Sequence, residues 1–302
     1  MLCILAFTLA LSGIAAAEPV YTVVFGAESE GTTRFVDDLS RLWQGSDTDQ
    51  PTALAGRVIG PAAARLQALR RMQADFAIVD ADILARRKAE YPDVAAVALL
   101  WPEALHVLAK RPDPAPLAAA PAADILVTDN AVWGQVALSG ALGAATPATR
   151  WFILPRGGAA AALQRSPLPL LLASGTLPMP EVEQAMKSAS DLRLLPLPRP
   201  VSEQVRGRAP WLAIVNIPPN VYPGQAQAVE TLAVNQVLVT RMDAPVALVQ
   251  HALAALFRWQ DRMAADNPRF AVIDRKANTG AAGWFAFHPA AMKELGITAS
   301  AQ

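Results

Sequence analysis

Short apolar runs alternate with amphipathic stretches of helical period along most of this chain, and that alternation narrows its fold more than any other feature. Residues 20–25 read as a strand, 33–43 as a helix with Phe35, Val36, Leu39, Leu42 and Trp43 on one face, and 56–59 as a short strand. A helix over 62–74, carrying Leu66, Leu69 and Met72, and a buried strand over 76–79 ending at Asp80 complete a first unit. Two apolar runs at 94–100 and 104–109 flank Trp101, Pro102 and Glu103. The proline-rich run RPDPAP at 111–116, with the alanines behind it, then marks a linker. A second unit has strands at 124–127, 150–154, 168–173 and 192–197 and helices at 131–142 and 158–163. A long apolar strand at 230–240 leads to a helix over 245–264 with Val246, Val249, Leu253, Leu256 and Phe257 inward. The expected class is α/β, with two lobes, each a doubly wound sheet, joined by two crossing segments. Ligand sites are expected at the carboxyl ends of the strands.

What precedes the first strand reads as an export signal. An apolar run from Leu2 to Ala16 is shorter than the roughly 20 residues that span a bilayer, and Ala15, Ala16 and Ala17 before Glu18 and Pro19 form a small-residue cleavage site. The only cysteine, Cys3, lies in this segment, so a chain that begins near Glu18 has no thiol for a disulfide, a nucleophile or a metal. A soluble periplasmic protein is the expectation. Lys plus Arg and Asp plus Glu number 26 each, which leaves no electrostatic footprint for nucleic acid or an anionic membrane.

Three strand-to-loop corners carry the candidate site. The first, FGAESEGTT at 25–33, offers Gly26, Glu28, Ser29, Gly31, Thr32 and Thr33 at the start of a helix, where free backbone N–H groups hold a small polar solute. Its acidic residues oppose an anion: two unit charges 4 Å apart repel by about 4 kcal/mol at an effective dielectric of 20, so an acid-lined pocket favours an amine. The second corner is Asp80, which either faces the solute or caps the following helix. The third, DNAVWG at 129–134, offers Asn130 and also Trp133, as a stacking face or as ordinary packing. Arg156 is a carboxylate clamp or a surface cation, Ser174 closes another strand, and Tyr222 bonds either a solute or a hinge carbonyl. His106, His251 and His288 are scattered, without the spacing of a metal motif, and no catalytic loop signature is present, so neither metal, cofactor nor catalysis is expected.

Several stretches together resemble the solute-binding subunits of the TAXI class of TRAP transporters. They are IPPNVYPGQ at 217–225, VETLAVNQVLVTR at 229–241, FHPAA at 287–291 with ELG at 294–296, DFAIVDAD at 75–82 and LWPEALH at 100–106. The resemblance implies a two-lobed periplasmic binding protein of type II, a monomer that traps a small polar solute and docks transiently on a TRAP membrane permease. It divides the chain into a signal peptide (1–17), a first lobe (18–115), a second lobe (116–228) and a return segment on the first lobe (229–302). The first corner departs from the family pattern at Ala27, Glu28 and Thr32, and Asp80 stands where glutamine is frequent. The small carboxylates typical of the family therefore do not carry over directly. The expected solute is amino-acid-like or organic-acid-like, and it bears an ammonium group or several hydroxyls if Glu28 and Asp80 both face the cleft, the alternative being that Glu28 and Glu30 are solvated loop charges and Asp80 a helix cap. A receptor that signals to a membrane sensor and a periplasmic hydrolase or transferase are the alternatives.

Overall fold

The computed structural model describes residues 19–26, 30–44, 52–110, 124–142, 150–154, 158–163, 170–258 and 260–298. The opening βαβαβ unit comprises β1 (Val20–Phe25), α1 (Glu30–Gln44), β2 (Ala53–Val58), α2 (Ala62–Arg70) and β3 (Phe76–Asp80), with α3 (Ala81–Arg86) behind it. Strands β1, β2 and β3 pair in parallel. Helix α1 begins at Glu30 rather than at residue 33, so Gly31, Thr32 and Thr33 belong to its first turn and not to a loop. Its apolar stripe packs Phe35, Val36, Leu39 and Trp43 into the core, each essentially inaccessible to water.

The next strand differs from expectation. A single 17-residue strand, β4 (Val94–Lys110), runs straight through the segment expected to break at Trp101–Glu103. Proline has no N–H for a ladder, but Pro102 lies opposite Asn235 where the partner strand shifts register, so the missing donor costs the sheet little. The second unit follows with β5 (Asp124–Val127), α4 (Val132–Leu142), β6 (Arg150–Ile153), α5 (Gly158–Leu163), β7 (Leu170–Gly175), α6 (Pro180–Ser188), β8 (Leu192–Leu194), α7 (Arg199–Arg208) and β9 (Leu212–Ile217). Strands β5, β6 and β7 are parallel. The expected strand over 192–197 stops at Leu194, yet Leu195 N–H still bonds Val107 O and Leu197 N–H bonds Glu230 O.

A 13-residue strand, β10 (Val229–Arg241), returns the chain, and α8 (Val246–Phe257), α9 (Gln260–Asp266), α10 (Pro268–Ala271), α11 (Arg275–Gly280) and α12 (Pro289–Leu295) complete it. The helix expected over 245–264 is thus two helices. The strand order β2-β1-β3-β10-β4-β7-β5-β6 makes the sheets of the two lobes continuous through the antiparallel pair β4 and β10. Toward its carboxyl end β10 pairs β3, and toward its amino end it pairs β9. Strand β4 correspondingly hands over from β10 to β7 and β8. The two long strands are therefore the crossing segments. Helix α10 is fixed to the first lobe by Phe270, whose ring lies 4.8 Å from that of Phe35, and by Asn267 Nδ2 donating to Asp38 at 2.8 Å.

Candidate functional site

A cavity of about 360 Å3 opens between the lobes, at the carboxyl ends of β3 and β5 and beside the crossing strands. The first lobe contributes the corner before α2, from Gly60 to Ala63 with Arg65, and the corner after β3, with Asp80, Asp82, Ile83 and Arg86. From the second lobe come Asp129, Asn130, Val132 and Trp133, and the crossing strands add Glu103 and Gln236. Four carboxylates thus face two guanidinium groups.

Each corner is built by its sequence. The apolar run of β3 is buried up to Val79, and Asp80 emerges half-buried at the N-cap position of α3. Its side chain makes no capping bond; Oδ1 instead accepts from Gln236 Nε2 at 2.6 Å, which aims the carboxylate along the crossing strand. Asp82, buried in the first turn of α3, accepts from Arg86 Nε at 2.8 Å and from Trp211 Nε1, in the second lobe, at 3.1 Å. Arg65 is buried and donates through Nη1 to Gly60 O at 3.0 Å, which ties it to the β2–α2 corner.

The corner after β5 is a short 3-10 turn at Asp129–Ala131 leading into α4. Asn130 is bound on both sides: its amide nitrogen donates to Ser174 O, and Thr128 Oγ1 donates to its Oδ1. Trp133 lines the cavity although only 4% of its surface is accessible, and its Nε1 donates to Ser174 Oγ at 3.1 Å. Ser174 itself is wholly inaccessible, so it supports Asn130 and Trp133 from behind rather than facing the cavity.

The remaining expected residues fall elsewhere. Glu28, Ser29 and Arg156 lie outside the described residues. Gly26 is buried at the end of β1, Thr32 is buried in the first turn of α1 and Thr33 is exposed; none of these three lines the cavity. Tyr222 does not line it either: the hydroxyl accepts from Met179 N–H at 2.8 Å and bonds His106 Nε2 at 2.7 Å. The other ring nitrogen of His106 faces Ala104 O at 3.0 Å, so Nδ1 carries the proton and Tyr222 donates to Nε2. Burial pushes the His106 imidazole down to about 4, against the smaller opposing effect of backbone hydrogen bonds, and burial likewise raises the Tyr222 phenol. His251 Nε2 bonds Trp43 O at 3.0 Å. His288 caps α12 by accepting from Ala290 N–H at 3.2 Å.

Arg269 was not anticipated. It extends from α10 over the face of Trp101, 5.2 Å from the ring centroid, and Nη2 donates to Thr176 Oγ1 at 2.8 Å. A Cβ at Gly31 would lie 1.7 Å from Nη1, so glycine is what lets the guanidinium approach the start of α1. Burial lowers the pKa of Arg269, and the charge of Glu103 works the other way. Nothing in the sequence marks this residue, which stands alone on a four-residue helix. Among the described residues no cluster of three or more His, Cys, Asp or Glu side chains is arranged to hold a metal ion, and no helix is long and apolar enough to cross a membrane.

The NMT1-like family model matches residues 136–295, from α4 to the end of α12. No curated protein matches the sequence. Among solved structures, lipoprotein Tp32 from Treponema pallidum is similar over 84% of this chain and 98% of its own, at 14% identity and a TM-score of 0.51. XAC2383 from Xanthomonas citri, solved bound to ATP, shares 10% identity over 92% of this chain and 95% of its own, with a TM-score of 0.52. The periplasmic VFT2 domain of BvgS from Bordetella pertussis gives 13%, 84%, 94% and 0.50 for the same quantities. At these identities the likeness establishes the fold, a two-lobed periplasmic-binding-protein architecture.

Proposed function

The chain belongs to the NMT1-like family, whose model spans more than half of it, and from that premise and the two-lobed fold we propose that it is a periplasmic receptor for a small polar solute with an amine among its groups. The observation that carries this reading is the interlobe cavity, with Asp80, Asp82, Glu103 and Asp129 set against Arg65 and Arg86, and with Trp133 presenting a ring. A cavity of this size suits a small metabolite. Carboxylates outnumber guanidinium groups in this lining even with the charge of Arg269 acting on Glu103, which supports a solute that brings positive charge, and Trp133, although mostly buried, borders the cavity where a cation–π or stacking contact would form. The solute contacts both lobes together only when they are shut, so its binding energy draws the population toward the closed form.

Delivery to a TRAP-type permease is the finer part of the proposal. It is supported by the resemblance of the segments at 217–225, 229–241 and 287–296 to TAXI subunits. The closed receptor, docking transiently as a monomer, would present its solute to that permease. Mass spectrometry of what is released from denatured periplasmic protein is expected to yield a small amine or zwitterion. Calorimetry with that compound should then show tenfold or greater weakening in the double variant Asp80→Asn, Glu103→Gln, since charged hydrogen bonds are worth about 1.5–3 kcal/mol. A released compound without positive charge, or an affinity unchanged by both substitutions, overturns the acid-pocket reading.

A further inference from the structure

Among the described residues two side-chain bonds join the lobes, one on each flank of the crossing strands. On the flank where β3 pairs β10, Trp211, just before β9, donates from Nε1 to Asp82 Oδ1 at 3.1 Å. On the flank where β7 pairs β4, Arg269 donates from Nη2 to Thr176 Oγ1, just past β7, at 2.8 Å.

Each bond is anchored within its own lobe. The Asp82 carboxylate is held by Arg86, which leaves Oδ1 directed at the opposite lobe. Arg269 is braced by Trp101 beneath it and by its neighbour Phe270, buried against Phe35. Its guanidinium occupies the space before Gly31, at the corner where the sequence suggested a solute.

We infer that these two bonds form a latch with which the chain shuts its lobes on itself before any solute binds, the Arg269 guanidinium packing against Gly31 and leaving the Asp80–Trp133 cavity for the solute. A hinge motion that parts the lobes must break one or both bonds, so the latch biases the ligand-free equilibrium toward closure. This inference concerns lobe closure alone, and it stands or falls independently of which solute the cavity takes.

The test uses double electron–electron resonance on a chain with Cys3→Ser, which removes the one native thiol. Spin labels go on Lys88→Cys and Gln184→Cys, exposed positions on opposite lobes. The protein is unfolded, washed and refolded so that no solute remains. The expected result is one dominant distance, that of the structure in which both inter-lobe bonds are made. Adding Trp211→Phe and Thr176→Val together should bring up a longer distance and lower the closed-to-open ratio about tenfold or more. Thr176→Val keeps side-chain volume and Trp211→Phe keeps an aromatic ring of smaller size, so a cooperative thermal melt checks folding; should the pair not fold, each single variant is read instead. A ligand-free wild type that is mainly open, or a distribution that the substitutions leave unmoved, overturns the latch.

Discussion

Asp80, at the end of an apolar strand, and Tyr222, in the segment that returns the chain, were both candidates, and their surroundings set them apart. Asp80 has one described bond, to Gln236, and lines a cavity shared by both lobes. Tyr222 lies in the interior of the second lobe, with its hydroxyl committed in both directions, donating to His106 and accepting from Met179. A buried polar group whose hydrogen bonds are all made within the protein holds the fold together. Asp80 differs by its place: it lines the cavity at a strand's carboxyl end, where solutes gather in folds of this kind.

The largest expected effect tests the structural half of this contrast. His106 is neutral in the fold, held down to about 4, whereas in the unfolded chain it titrates at its ordinary 6.5. As pH falls through 6.5 the unfolded chain takes up a proton that the folded one refuses, so stability drops until about pH 4 and then levels off. At 1.36 kcal/mol per unit, the loss attributable to this residue is about 3 kcal/mol. Urea unfolding at pH 7.5 and pH 4 should show that loss in the wild type and a correspondingly smaller one in His106→Gln. Equal losses in the two proteins would mean that the ring is not the buried neutral partner of Tyr222.

A smaller effect bears on Tyr222 itself. Tyr222→Phe keeps the ring but leaves Met179 N–H and His106 Nε2 buried without their partner, which should lower unfolding stability by about 2 kcal/mol. Affinity for the released solute should be unchanged. The opposite pattern, intact stability with weakened binding, would move Tyr222 back into the site and erase the distinction from Asp80.

The alternation of strands and helices made the α/β fold legible, and the rule that ligands gather at the carboxyl ends of parallel strands singled out Asp80, Asn130 and Trp133, which the fold brings to the lining of one cavity. Glu103 and Gln236 were not legible because they lie on the crossing strands, and Pro102 made β4 read as two pieces until the bulge opposite it came into view. Arg65 and Arg269 were hidden for another reason. Each extends from a helix whose sequence says nothing about where a long side chain ends, Arg65 to the cavity and Arg269 to Thr176, 93 residues away in the chain. The first corner shows the limit of local pattern most clearly. Small residues at a helix start signal room for a polar group, but local sequence gives no sign that the Arg269 guanidinium packs against Gly31.

The smallest effect falls on the residue that stands in both regions. Trp133 borders the cavity with its ring while its Nε1 bonds the inaccessible Ser174, so it is at once lining and support. Trp133→Phe removes the N–H and part of the ring but keeps an aromatic face. It leaves Ser174 Oγ without its donor, for a loss near 1 kcal/mol in urea unfolding. If the ring's contribution to the solute is its π face, affinity should fall only a few-fold, because phenylalanine retains a weaker version of the same quadrupole. Trp133→Leu should then lose clearly more affinity than Trp133→Phe at similar stability. Equal affinities for the two variants would reduce Trp133 to packing and place it with Tyr222 on the structural side of the divide.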